Sequence, residues 1–378
     1  MSKFSLAAVG VLLLIVAGKT VFAQGQTETG VEWKDANEEL NRRVERTFSQ
    51  DGPGASILIL KDGAPIYRRF IGLADLETGR PIDADTVFYI ASVSKLITAT
   101  AVLQLVEQSK LRLDDTLGAL LPSSPSCAAQ VTVEQLLSHT SGVPDFFDFY
   151  EAHKRSTAGM TNGDVLAFLQ QSKLDFPPGT KWGYSNSAYV LLALAVEAKT
   201  AKPLRVVLAE GIFQPLRMSH AVLYDETRPA IQNCAVGYSK RDASFVKDDI
   251  DSFTVGPGGV FATLDDLVAF DEGLRAGKIL RRETLARATQ SVKTANGRPT
   301  PFGLGWQSES WDRGPLAGQE YFGAFGQLHG FRALYMRVEK SGLTFIAMTN
   351  CGVDPLSVEM PELFLVAHDY QRQPKGKH

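Results

Sequence analysis

The 378-residue sequence holds three cysteines and six histidines. None of Cys127, Cys234 and Cys351 forms a CxxC pair or a Cys/His cluster, which argues against a structural zinc site. At most one disulfide can join them, and the sequence does not say whether any pair meets. There is also no GxSxG elbow, no HExxH helix and no phosphate loop, because the Gly18-Lys19-Thr20 triplet lacks the earlier glycine, position 13 being Leu13. No apolar run reaches the roughly 20 residues needed to span a bilayer. Excess positive charge is absent as well: the formal net charge is -3, which disfavours a nucleic-acid partner.

Hydrophobic residues make up 44% of the chain and charged residues 21%, the balance of a globular protein with a sizeable core. Lys3, an apolar run over 4–18 and Val21-Phe22-Ala23 before Gln24 read as a cleavable export signal over 1–23. Its removal would take away two lysines and no acid, moving the formal charge to -5. The expected location is periplasmic or secreted, with no membrane span left after cleavage.

Leu40, Val44 and Phe48 recur every four residues, as on an amphipathic helix. An apolar strand over 55–60, an Asp62-Gly63 turn and a second strand over 64–72 then predict a hairpin. A buried helix is expected over 94–109, and helices over 132–138, 162–171, 186–200 and 203–213 fill the middle. Strands return at 303–309, 319–325, 331–338 and 343–350, before a last helix over 361–370. Strands at both chain ends commonly complete one sheet. The expectation is therefore an α/β (α+β) fold: residues 24–112 with 253–378 form a sheet domain, 113–252 a mostly helical one, and the active site lies in the cleft between them.

Ser92-Val93-Ser94-Lys95 sets a hydroxyl and an amine at i and i+3, on one face if Ser92 opens a helix. Free N–H groups at such a start can hold an oxyanion, and burial favours a neutral Lys able to take the serine proton. The spacing is weakly specific. Ser244-Phe245-Val246-Lys247 also fits, but in a charged stretch that reads as a solvated loop. Tyr184-Ser185-Asn186 follows a Pro177-Pro178-Gly179-Thr180 turn and opens an apolar helix, so a phenol and an amide could share one cleft. The bland alternative makes Asn186 an N-cap and Tyr184 a packing residue. The aromatic cluster Phe146, Phe147, Phe149 and Tyr150 reads as core, or as the lining of an apolar acyl pocket.

These pieces occur together with Leu136-Leu137-Ser138-His139-Thr140-Ser141-Gly142-Val143-Pro144, with Gly258-Gly259-Val260-Phe261-Ala262-Thr263-Leu264-Asp265-Asp266-Leu267 and with Phe302-Gly303-Leu304-Gly305-Trp306. From about Gly54 to Asn350 the chain resembles the serine β-lactamase-related family, which includes class C β-lactamases, D-Ala-D-Ala carboxypeptidases of the same fold and type VIII esterases. The resemblance implies a β-lactamase/transpeptidase-like fold, an antiparallel sheet flanked by helices with a helical insertion. It also implies that Ser92 is acylated, that Lys95 and Tyr184 share the proton transfers, and that Asn186 positions the Lys and the substrate carbonyl. The backbone N–H groups of Ser92 and Gln327 would form the oxyanion hole, and no metal or organic cofactor is called for. His139 would be structural rather than part of a Ser-His-Asp triad.

One motif departs from the family pattern. Where the resemblance implies a cation and a hydroxyl before glycine, the aligned triplet is Ala324-Phe325-Gly326. That pair usually grips a substrate carboxylate, so neutral esters should suffer least from its loss. The expected substrate is a small-molecule ester, with a lactam or a D-peptide as alternatives; a non-catalytic binding module is a further alternative. His329, standing where the family usually has Pro, would restore a cation only if it faced the cleft.

Overall fold

The computed structural model describes residues 33–227, 230–311 and 317–352. The expected export signal over 1–23 and the expected helix over 361–370 lie outside the described residues.

Helix α1 (Trp33–Thr47) turns Leu40 and Val44 inward, and Phe48 just beyond it is buried with them. Strands β1 (Ala55–Lys61) and β2 (Ala64–Ile71) follow as a hairpin. At its turn Asp62 and Gly63 both adopt positive φ, +51° and +88°, the twist that suits two-residue hairpins. From the other end of the chain come β3 (Gln307–Ser310), β4 (Glu320–Leu328), β5 (Phe331–Val338) and β6 (Leu343–Thr349). The result is one antiparallel sheet of order β3-β4-β5-β6-β1-β2, with Leu58 opposite Ile346 where the chain ends meet.

Its interior strand β1 does not alternate in polarity because both faces are covered. Ala55, Ile57 and Ile59 pack with Leu40, Val44 and Phe48 under α1, while Leu58 and Leu60 point into the main core. That core holds α2 (Ser94–Glu107), buried almost all round, and α3 (Asn186–Thr200), which packs against it.

A second, small sheet governs the approach to Ser92. The strand Phe88–Tyr89 pairs with Val260–Ala262, which pairs in turn with Val222–Leu223. This accounts for the run 258–267: two glycines, a buried strand, and then Thr263 and Asp266 in a reciprocal cap on the helix Leu264–Arg275. A side chain at Gly258 would meet the Tyr89 hydroxyl at 2.3 Å. The stretch 113–252 carries the helices Val133–Leu137, Phe146–Ala152 and Asn162–Gln170 besides α3, and adds the exposed hairpin Tyr238–Arg241/Ser244–Lys247.

Three expectations about elements are corrected. The helix expected over 203–213 is α-helical only at Leu204–Leu208 and then widens into a π turn over Ala209–Phe213. Pro215 has no N–H to offer the Gly211 carbonyl, which accepts from Gln104 Nε2 at 2.9 Å instead. The strand expected at 303–309 begins only at Gln307, because Gly305 sits at φ +104° and turns the chain around the fully buried Trp306. Ser244–Lys247 is a hairpin strand rather than a loop, though solvated as expected. Cys127 and Cys234 are free thiols. No helix among the described residues is long and apolar enough to cross a membrane.

Candidate active site

Ser92 lies in a single 3-10 turn, Ala91–Val93, that runs directly into α2. Ala91 adopts φ +45°, an unfavourable conformation for a residue with a Cβ, held by hydrogen bonds from Ile90 N–H to Val260 O and from Val93 N–H to Ile90 O. One helical turn on, Lys95 is 2% exposed. Its Nζ reaches Ser92 Oγ at 3.1 Å, Asn186 Oδ1 at 2.8 Å and the Pro257 carbonyl at 3.0 Å, with the rings of Tyr184 and Tyr189 about it. The Tyr184 hydroxyl donates to the same Ser92 Oγ at 3.0 Å. Four residues read from the sequence thus converge on one oxygen or on the amine beside it.

Proton affinities differ sharply within this group. Burial pulls Lys95 down to about 7, against the opposing pull of the Asp145 carboxylate. Burial pushes the Tyr184 phenol far above its ordinary range. As an ammonium, Lys95 has three donors for its three acceptors. As a neutral amine it keeps two, for Asn186 and Pro257, and turns a lone pair to the Ser92 hydroxyl. Near neutral pH both forms are accessible.

The helix cap of α3 is Ser185, which accepts from Ala188 N–H, so Asn186 is free for the cleft rather than serving as the N-cap. His139 is fully buried, and its Nδ1 accepts the Ser185 N–H at 3.1 Å, leaving the proton on Nε2. Burial and the nearby Lys95 hold it neutral, and its ring stacks on Tyr184 at 4.4 Å. That is the structural role expected of it.

Asp145 was not among the residues read from the sequence. It is 9% exposed and caps Phe146–Ala152 through Phe147 N–H at 2.9 Å. Its Oδ2 accepts both the backbone N–H of Asn186, at 3.0 Å, and the Asn186 Nδ2, at 2.8 Å. The signal available was an Asp directly before an aromatic helical run, the usual N-cap chemistry.

These groups open onto a cleft of about 560 Å³. Trp182, Phe147, Phe302 and Phe325 give it apolar walls, so part of the aromatic cluster lines the pocket while Phe146 is core. Ala324 and Gln327 on β4 also line it. Gly326 lies so close to the Ser92 turn that a Cβ there would stand 2.9 Å from Ser92 N, bringing the Ser92 and Gln327 backbones to one side of the cleft. Among the described lining residues Lys95 is the one cation, facing the acids Asp145, Asp148, Glu151 and Glu309.

His329 does not supply a second cation. It sits at φ +49° in the turn after β4, off the cleft, with Nδ1 on Asp248 at 2.9 Å and Nε2 3.6 Å from Asp251. Its carbonyl accepts from Arg332. The turn conformation, closed to proline, carries the ring away toward these acids.

The sequence model for Beta-lactamase matches residues 38–366. The chain belongs to the beta-lactamase family. Esterase EstB of Burkholderia gladioli is 29% identical over 343 residues, covering 80% of this chain and 87% of that one. A D-aminopeptidase of Cereibacter sphaeroides is 29% identical over 303 residues, covering 79% of this chain and 57% of its own length, so the chain spans little more than half of that relative. Among solved structures, the octameric penicillin-binding protein homologue from Pyrococcus abyssi superposes with a TM-score of 0.73 at 22% identity, covering 88% of this chain and 77% of that one. This family of serine hydrolases works through acyl-enzyme chemistry, on the β-lactamase/transpeptidase-like fold described above.

Proposed function

We propose that this protein is an exported carboxylic-ester hydrolase acting through an acyl-Ser92 intermediate, its active site lying between the sheet and the helical insertion. The observation that carries the reading is the convergence of Lys95 Nζ and the Tyr184 hydroxyl on Ser92 Oγ, at 3.1 and 3.0 Å.

Of the two, Lys95 is the base in the free enzyme, because its proton affinity lies near neutrality while that of Tyr184 lies far above it. Ser92 Oγ bonds to the ester carbonyl carbon as its proton passes to Lys95. The oxyanion is held by the N–H groups of Ser92 and Gln327. Collapse breaks the bond to the leaving alcohol, which takes a proton through Tyr184. Water then attacks the acyl carbon, the proton path runs in reverse, and the acid leaves. Asn186 keeps Lys95 in place and offers its amide to the substrate carbonyl side of the cleft.

Substrate preference follows from charge. With Ala324 and Phe325 where a cation and hydroxyl would grip a carboxylate, and with acids along the walls, neutral acyl donors are favoured over anionic lactams. The same acids favour, as a second reading, a D-amino-acid ester or amide carrying a free ammonium.

Incubating the protein and its Ser92→Ala variant with short-chain nitrophenyl esters, a chromogenic cephalosporin and a D-aminoacyl amide tests this. Ester turnover should be highest, with an acyl mass on Ser92, and should vanish in the variant. Undiminished turnover in the variant would sink the assignment, and no turnover with any of the three would make the fold a binding module.

A further inference from the structure

The geometry points to Asp145 as a positioning residue for the acyl transfer, holding the Asn186 amide with its oxygen toward Lys95 and setting, by its charge, how Lys95 gains and loses its proton. The inference rests on the acyl-Ser92 reading above.

An ionised carboxylate only accepts hydrogen bonds, so whatever faces it must donate. Asp145 Oδ2 receives Asn186 Nδ2 at 2.8 Å, which leaves Asn186 Oδ1 for Lys95 Nζ at 2.8 Å. Because the same oxygen also takes the Asn186 backbone N–H and the other oxygen takes Phe147 N–H, the carboxylate is fixed to the starts of two helices at once. Ser187 Oγ, accepting from Phe146 N–H at 2.9 Å, ties those starts together. An amide flip at Asn186 would set an NH2 against the Lys95 amine and a carbonyl against a carboxylate. Asp145 makes that flip costly.

The second effect is electrostatic. The groups facing this pair are Asp148 on the helix that Asp145 caps, Tyr184, Ser92 beside the amine, and the buried His139 and Tyr189. Burial pushes Asp145 up to about 6, and its remaining charge raises Lys95. Productive enzyme needs Lys95 neutral and Asp145 ionised. As pH falls, Lys95 takes up its proton first and Asp145 next, so the two sites titrate as a coupled pair and the acid limb of kcat/KM steepens from one proton to two.

The test is the pH profile of ester hydrolysis by the full protein and by its Asp145→Asn and Asp145→Glu variants, with active enzyme counted by the acyl mass on Ser92. In Asp145→Asn the expected result is a one-proton acid limb displaced downward by roughly one unit, since the charge that raised Lys95 is gone. Its kcat should fall roughly tenfold to a hundredfold, with KM little changed. Asp145→Glu should recover the two-proton limb and part of kcat. A purely structural Asp145 would lower the titre of acylatable enzyme while leaving the limb unchanged, and that result overturns the inference. So does a one-proton limb in the unaltered protein, which needs no variant to fold. Retained turnover in Ser92→Ala would overturn the acyl-Ser92 reading itself; loss there alongside an unaltered Asp145→Asn profile overturns the Asp145 inference alone.

Discussion

Replacing Gly326 by Ala tests whether β4 and the Ser92 turn form one oxyanion hole. An ideal Cβ at Gly326 lies 2.5 Å from Ile90 O, 2.9 Å from Ser92 N and 3.1 Å from Ala91 Cβ. Relieving the first contact to an ordinary 3.4 Å separation needs about 0.9 Å of movement. Neither partner gives easily. The Ile90 turn is tied to Val260, and β4 is paired on both sides, with β3 and β5. The strain of such overpacking is about 1–3 kcal/mol of stability. The larger effect falls on the donors, since an oxyanion hole works only with both N–H groups about 2.7–3.1 Å from the developing charge. A shift of that size removes one donor, and kcat for nitrophenyl esters should fall by about 10² to 10³. Ser92 should still lie beside Lys95, so slow acylation should remain visible by mass. A folded Gly326→Ala enzyme with kcat within about threefold of the parent would refute the pairing of Ser92 and Gln327 as the oxyanion hole.

Two further outcomes concern charge in the cleft. The double change Ala324→Lys with Phe325→Thr should raise activity on anionic substrates relative to neutral esters by roughly ten- to a hundredfold, as one charge-assisted grip is regained; an unchanged ratio would count against the account of that strand. In the unaltered protein, activity on an anionic ester relative to its neutral analogue should climb as salt is raised from about 0.01 M to 1 M, because the Debye length shrinks from roughly 30 to 3 Å and screens Asp148 and Glu151. A ratio indifferent to salt would mean that those exposed acids do not repel the substrate.

Local signals in the sequence were legible where one residue pattern had one physical solution. Leu40, Val44 and Phe48 could only face a core, and Asp62-Gly63 could only turn a hairpin, so α1, β1 and β2 stand where the periodicity put them. Ser92, Lys95, Tyr184 and Asn186 were legible by resemblance, since spacing alone could not separate Ser92-Lys95 from Ser244-Lys247; what separates them is a buried helix against an exposed hairpin. Asp145 escaped because its partner Asn186 is 41 residues away and nothing local marks a cap as a ligand of another helix. The π turn escaped because the Gly211 carbonyl, which Pro215 cannot serve with an N–H, takes its donor from Gln104, a residue on α2. Which way His329 faces was not legible, because a sequence position on a strand end does not specify the φ that sends its ring to Asp248 rather than into the cleft.

That Ala324 and Phe325, neither of them a cation, stand before Gly326 bears on the base as well as on the substrate. A positive charge at 324 would disfavour the ammonium form of Lys95; without it, burial alone must bring Lys95 to about 7 while Asp145 pulls the other way. The Ala324→Lys change therefore couples two readouts that a simple binding account keeps apart. Alongside the gain on anionic substrates, the acid limb for neutral esters should move to lower pH, because the proton on Lys95 is lost more readily. If anion affinity rises while the limb stays fixed, the new ammonium reaches the substrate but not the field at Lys95, and the tuning of the base belongs to burial and Asp145 alone.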